Sequence, residues 1–229
     1  MRTFVLLTLS SVSVMAGYLG PTPYLSFADS PFSAQSFDYF HLETFETGSP
    51  SVPGVSLPSL AVVLSPGPLT DSVDSDDGSI DGFGTGGHSL YTNFGSASLR
   101  FTFNAGALGG ILPTHAGIVW TDVGVATSST GFGSVSFEAF DQFGASLGVI
   151  GPFVLGDGSA MGGTAEDRFF GVTNAAGISA IEIRMPDSSD WEVDHLQFGA
   201  QTAVPEPGSA TLVLAGCAVL SATFARRRR

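Results

Sequence analysis

The chain has 229 residues, 21 of them acidic and only eight basic, for a formal net charge of −13. It contains no lysine and a single cysteine. A chain so poor in cations cannot offer the basic footprint that nucleic acid needs, and one cysteine cannot form an internal disulfide, so neither nucleic-acid binding nor a disulfide framework fits.

The first 16 residues predict a signal peptide. Arg2 is followed by the apolar run Phe4-Val5-Leu6-Leu7-Thr8-Leu9 and then by small residues through Ala16. Val14-Met15-Ala16 is the expected cleavage site, with Ser26-Phe27-Ala28 as an alternative. Residues 17–35 carry Pro21, Pro23 and Pro31 and read as an extended lead-in. Three arginines remain in the body against all 21 acidic residues, giving it a formal charge of −18.

Residues 36–200 read as one domain of short strands. Thirty glycines and 19 phenylalanines, with no long helical periodicity, point to an all-β chain. The expected strands lie in Asp38–Phe45, Leu60–Leu64, Ser89–Tyr91, Ser98–Asn104, Gly117–Val123, Ser134–Phe140, Leu147–Ile150, Arg168–Val172, Ala180–Met185 and Trp191–Phe198. Leu99, Phe101 and Phe103 alternate with Ser98, Arg100, Thr102 and Asn104, which places one face in a core and one in water. Val135, Phe137 and Ala139 share a face, as do Ile181, Ile183 and Met185. Asp141-Gln142-Phe143-Gly144-Ala145-Ser146 predicts a hairpin connection. The expected architecture is a two-sheet antiparallel β-sandwich, jelly-roll-like.

Several motifs have chemical readings. Gly144-Ala145-Ser146-Leu147-Gly148 spells the nucleophile-elbow pattern, but a strand rather than a helix is expected behind it, so turn glycines explain it better. Gly82-Phe83-Gly84-Thr85-Gly86-Gly87 contains the spacing of a dinucleotide loop, again without a following helix. His41, His88, His115 and His195 are dispersed. Glu166 and Asp167 adjoin Arg168, and neighbouring strand residues point to opposite faces, which disfavours a catalytic acid pair. The densest constellation is acidic. Asp71, Asp74, Asp76, Asp77 and Asp81 fall in a Ser- and Gly-containing stretch, and oxygen-rich loops of this kind suit calcium, although the spacing is not that of an EF-hand. A solvated acidic loop is the other reading.

The C-terminal stretch is the most specific feature. After a linker at 201–207 containing Val204-Pro205-Glu206-Pro207, an apolar run at 208–225 leads into Arg226-Arg227-Arg228-Arg229. The run is at the short end of what crosses a bilayer as a transmembrane helix, and the four arginines favour the cytoplasmic side. The prolines keep the preceding peptide extended and accessible. These three elements in this order resemble the PEP-CTERM sorting signal of bacterial exported proteins. The resemblance implies an exosortase-type processing enzyme as partner and delivery across the inner membrane to the cell envelope or its extracellular matrix. It also implies association with extracellular polysaccharide. Thr44-Phe45-Glu46-Thr47-Gly48, Gly87-His88-Ser89-Leu90-Tyr91 and Trp191-Glu192-Val193-Asp194-His195-Leu196 resemble carbohydrate-binding-module-type jelly rolls. That resemblance implies a structural calcium held by Glu46 and Asp194. The expectation is therefore an exported, non-catalytic sandwich that contacts polysaccharide; a glycan-active hydrolase and a purely structural surface protein are the alternatives.

Overall fold

The computed structural model describes residues 16–57, 61–73, 86–91, 98–122, 134–155, 167–186 and 191–201. Among them run twelve strands. These are β1 (Gly17–Pro23), β2 (Tyr39–Glu43), β3 (Val55–Ser56), β4 (Val62–Leu64), β5 (Ser89–Tyr91) and β6 (Ser98–Phe103), followed by β7 (His115–Asp122), β8 (Ser134–Asp141), β9 (Ser146–Val154), β10 (Arg168–Thr173), β11 (Ile178–Arg184) and β12 (Glu192–Ala200). They form two antiparallel sheets. One has the order β1-β10-β7-β12-β5-β4, with β2 also paired to β12; the other has the order β3-β6-β11-β8-β9. The all-β, two-sheet antiparallel sandwich expected from the sequence is the architecture found. No helix among the described residues is long and apolar enough to cross a membrane; the expected span at 208–225 lies outside the described residues.

The alternations behave as strand geometry requires. Leu99, Phe101, Phe103, Val135, Phe137, Ala139, Ile181, Ile183 and Met185 are all buried and belong to one core between the sheets. Trp120 and Trp191 are in the same core, and the Trp120 indole N–H donates to Met185 Sδ at 3.0 Å. On the outer face of the second sheet, Arg100 lies 3.5 Å from Glu182, and Arg184 lies 2.7 Å from Glu182 and 2.9 Å from Glu138. Two of the body's three arginines are thus spent neutralising two glutamates that face each other across strands.

The 17–35 stretch differs from a mere lead-in. Gly17–Pro23 is indeed extended, but it pairs with β10 as the edge strand of the first sheet. The residues after it fold over the outer face of that sheet, where Tyr24 and Phe32 join Val73, Val119 and Phe169 in a second, smaller core. Phe169 needs room to lie flat there. Gly117 and Gly171 are register partners, and a Cβ on Gly117 would sit 2.4 Å from the Phe169 ring and 2.8 Å from the Phe170 carbonyl oxygen. Tyr24 stacks on Phe169 with ring centroids 6.0 Å apart.

The hairpin between β8 and β9 has the expected bounds. Asp141 Oδ1 accepts the Phe143 N–H at 2.8 Å and the Ala145 N–H at 2.9 Å, and Gly144 adopts φ of 80°. Ser146 opens β9 and its Oγ accepts the Gly148 N–H at 3.2 Å. The nucleophile-elbow pattern is therefore hairpin sequence.

Two predictions follow from this packing. Gly117→Ala should cost about 1–3 kcal/mol in denaturant unfolding, because the new methyl meets both a ring and backbone. Gly67→Ala, where the nearest atom is 3.9 Å away, should stay within about 0.5 kcal/mol. Equal costs at both sites would contradict the close approach of Phe169. His115 supplies the second. It packs edge-on against Phe32 and Phe37, and burial pushes its pKa below the ordinary 6.5. The ring is neutral in the folded protein, so its contribution to stability is complete above pH 6.5 and is lost as pH falls from there toward the folded value. The melting temperature should drop more between pH 7 and pH 5 in the native chain than in His115→Gln; identical slopes would exclude this ring as the source.

Candidate functional site

Strand direction sorts the charges into two poles. β7 runs from His115 to Asp122, and its partners run the other way, so Thr173 and Gly199 lie beside His115 while Arg168 and Glu192 lie toward Asp122. At the Asp122 end, Asp71, Asp122, Asp167, Glu192 and Asp194 are all buried. Asp122 and Glu192 are direct register partners. Glu46 and His88 lie at the same end.

β12 organises this acidic pole. Its residues Glu192 and Asp194 both reach the segment Asp71-Ser72-Val73. The Asp71 N–H donates to Glu192 Oε2 at 2.9 Å, and the Ser89 hydroxyl donates to the same oxygen. The Ser72 hydroxyl and the Val73 N–H donate to Asp194 Oδ2 at 3.0 and 3.1 Å, and the His195 N–H donates to Asp194 Oδ1 at 2.6 Å. The Thr121 hydroxyl donates to the Asp71 carbonyl at 3.1 Å. Oxygen acceptors on one strand thus tie a chain segment 121 to 122 positions earlier onto the sheet. The start of the acidic stretch is buried structure; Asp74, Asp76, Asp77 and Asp81 lie outside the described residues.

Glu46 approaches from the other side. Phe45 turns the chain at φ of 57°, and the Glu46 carboxylate accepts the His88 backbone N–H and lies 3.2 Å from His88 Nδ1. Gly87 fills the gap between the two acidic partners: a Cβ there would sit 2.4 Å from Ser72 Oγ and 3.2 Å from Glu46 Oε1. Glu46 and Asp194 therefore share a pole and are separated by Ser72 and Gly87. Among the described residues no three His, Cys, Asp or Glu side chains converge as metal ligands. The chemistry available is that of a cluster of hard oxygen acceptors, suited to N–H and O–H donors or to a calcium ion rather than to a soft metal.

The other candidates disperse. His41 pairs with Glu43 at 3.1 Å, and His195, at φ of 44°, shares a hydrogen bond with the Tyr24 hydroxyl at 3.0 Å. Gln197 Nε2 donates to that hydroxyl at 2.8 Å, and the Ser30 hydroxyl donates to Gln197 Oε1. Arg168 donates to the Asp167 carbonyl oxygen at 2.8 Å; Glu166 lies outside the described residues, as do Val204, Pro205, Glu206, Pro207 and Arg226–Arg229. The opposite pole holds a shallow cleft of about 380 Å³ lined by Ile111, Leu112, Thr114, Gln142 and the 175–177 turn. Beside it the Tyr39 hydroxyl donates to the Ile111 carbonyl at 3.1 Å, and burial pushes that phenol up to about 12.

Sequence reasoning missed Asp122, Ser72, Ser89 and Glu192. The signal for Glu192 was present, since it stands two residues from Asp194 on one strand and shares its face. Asp122 and Ser72 become neighbours through register and a long loop, which no local pattern encodes.

No family model matches the chain, and no curated protein matches its sequence. Among solved structures it is similar to a xylan-binding domain from carbohydrate-binding module family 22, at 15% identity and a TM-score of 0.35. It is similar also to the C-terminal family 22 carbohydrate-binding module of Clostridium thermocellum Xyn10B, at 16% identity and a TM-score of 0.37. Each likeness covers 75% of this chain and 99% of the other. The sandwich assignment rests on the strand pairing described above and not on this overlap.

The hydrogen bonds predict an asymmetry between the two acids first singled out. Asp194→Ala strips acceptors from three donors in a buried place and should cost about 1–3 kcal/mol per donor left unsatisfied. The Val73 amide should then exchange faster with solvent. Glu46→Gln, at a side chain 39% exposed, should change stability by less than about 1 kcal/mol. Unchanged exchange at Val73 in the Asp194 variant would contradict the tether.

Proposed function

We propose that this is an exported, non-catalytic sandwich of the cell envelope that contacts extracellular polysaccharide through its acidic pole, with calcium as a structural ion. The observation that carries the reading is the segregation of carboxylates to the end of the sandwich opposite the C-terminal exit at Ala200. Asp71, Asp122, Asp167, Glu192 and Asp194 are buried, so among the described carboxylates of this pole the one open to a glycan is Glu46, whose side chain is 39% exposed. Bonds from sugar hydroxyls to an ionised carboxylate are the stronger, charge-assisted kind. A lysine-free body at −18 would repel a polyanion, so the partner is a neutral polysaccharide or an acidic one bridged by divalent cations. The C-terminal stretch supports export and processing by an exosortase-type enzyme.

Calcium fits the donor chemistry. Several buried carboxylates share one pole with Arg168, so a divalent cation would relieve both their repulsion and their desolvation. Glu46 and Asp194 are one pair of residues that would hold it, and Asp71, Asp74, Asp76, Asp77 and Asp81 are the alternative set. Bound only by the folded chain, it would add about 2.7 kcal/mol at one hundred times its Kd.

A second reading, a structural surface protein without a specific ligand, is favoured by the burial of Trp120 and Trp191, which withholds both from any sugar-stacking platform. A hydrolase would need two carboxylates facing a bound glycan.

The deciding experiment is a glycan array probed with the full-length protein in calcium and in EDTA, alongside thermal melts. Binding to neutral or uronic-acid glycans, a melting temperature lowered by EDTA and its restoration by calcium more than by magnesium are the expected results. No glycan bound under either condition would favour the structural reading. Release of new reducing ends would favour a hydrolase. A melt indifferent to EDTA, with no metal by elemental analysis, would remove calcium.

A further inference from the structure

We infer that the pole opposite the carboxylates is a membrane-facing surface, on which the sandwich rests against the lipid headgroups before processing. The inference rests on the reading of 208–225 as a membrane anchor and adds an orientation to it.

The chain's path sets the first constraint. β12 ends at Ala200, beside Tyr39 and close to His115, so the chain leaves the sandwich at the His115 pole. β1 starts at the same pole, with Gly17 opposite Thr173. Only residues 202–207 separate Gln201 from the apolar run. Six residues reach at most about 20 Å even when fully extended, and Pro205 and Pro207 stiffen them. β7, eight residues long, carries the acidic pole about 25 Å further away.

Charge sets the second. At the exit pole the loops 104–114, 142–146 and 174–177 contain no charged residue, and the segment 35–38 leading into β2 contains only Asp38. The two acids flanking them are Asp38 and Asp141, and Asp141 is engaged with the N–H groups of its own turn. In a body at −18 these loops make a nearly neutral surface, which can approach a bilayer without repulsion from anionic headgroups.

Side chains supply the third. Phe143, at the tip of the β8–β9 hairpin, is 85% exposed, the most exposed large apolar side chain among the described residues. Ile111 is 53% exposed across the cleft that Gln142 also lines. An aromatic and an aliphatic tip on uncharged loops, at the pole where the chain leaves the sandwich, match the apolar contacts by which proteins lie at a lipid interface.

The test uses the full-length chain reconstituted in phosphatidylcholine vesicles with brominated acyl chains. Phe143→Trp places a reporter at the tip, and Leu69→Trp places one on an exposed residue at the acidic pole; the native tryptophans stay shielded in the core. Phe143→Trp emission should shift to the blue and be quenched several-fold more than that of Leu69→Trp. Ile111→Cys carrying an environment-sensitive dye gives a second reading at the same pole. Vesicle association with equal quenching at both poles overturns the orientation and leaves the anchor intact. Failure of the chain to associate with vesicles overturns the anchor and the orientation with it. A detergent-stable dimer lost on Phe143→Ser, without lipid quenching, assigns the surface to a second copy of the chain instead.

Discussion

Everything in this molecule is organised by β12. All nine of its residues are buried, although it carries two acids, a histidine and a glutamine. It is paired on one side by β7 and on the other by β5 and β2 in succession. Its inward residues Val193, Leu196 and Phe198 complete the core, while its outward residues bind what covers the sheet. Asp194 and Glu192 hold the 71–73 segment, and His195 and Gln197 hold Tyr24 and Ser30. A buried polar side chain costs free energy unless satisfied. Here that requirement is what docks two distant segments, and their apolar residues then close the second core over Phe169.

The two outer faces solve one electrostatic problem differently. On the second sheet, glutamates placed opposite one another are neutralised by Arg100 and Arg184, and the hydrogen bond from Arg184 to Glu182 raises the already high pKa of that guanidinium. On the first sheet Glu192 and Asp194 turn to backbone N–H and hydroxyl donors. With no lysine in the chain, this choice follows from the small stock of cations rather than from geometry alone.

Sequence made the central strands legible because each is half-wet or flanked by turns. The triplets Leu99/Phe101/Phe103 and Ile181/Ile183/Met185 show period two; burial follows it residue by residue in β6, while in β11 the intervening Ala180 and Glu182 are buried as well. The N-terminal strand was read only as extended, since Gly-Tyr-Leu-Gly-Pro-Thr-Pro has no alternation and owes its place to β10. β3, two residues long, is held by β6 alone and leaves no pattern. In β12 the phase slips at Asp194 and His195, where the register with β7 shifts, so a strict alternation fails across the most important strand. At the acidic pole, Glu46, Asp71 and Asp194 could be singled out in the sequence as candidate oxygen donors, and the structure brings them to one end of the sandwich. That Asp71 begins a buried segment was not, because Asp- and Ser-rich composition signals a turn, and only Glu192 and Asp194, far along the chain, supply the acceptors that reverse it.

The position of β12 in chain order has a consequence for biogenesis. For a polypeptide threaded through a membrane pore from its N-terminus, β1 would emerge with no partner until β10 follows, and the first sheet would lack its centre until Ala200 is through. Contacts this distant along the chain form slowly. The strand that completes the first sheet is the last of the described strands, so on such a route that sheet could close only after nearly the whole body had passed.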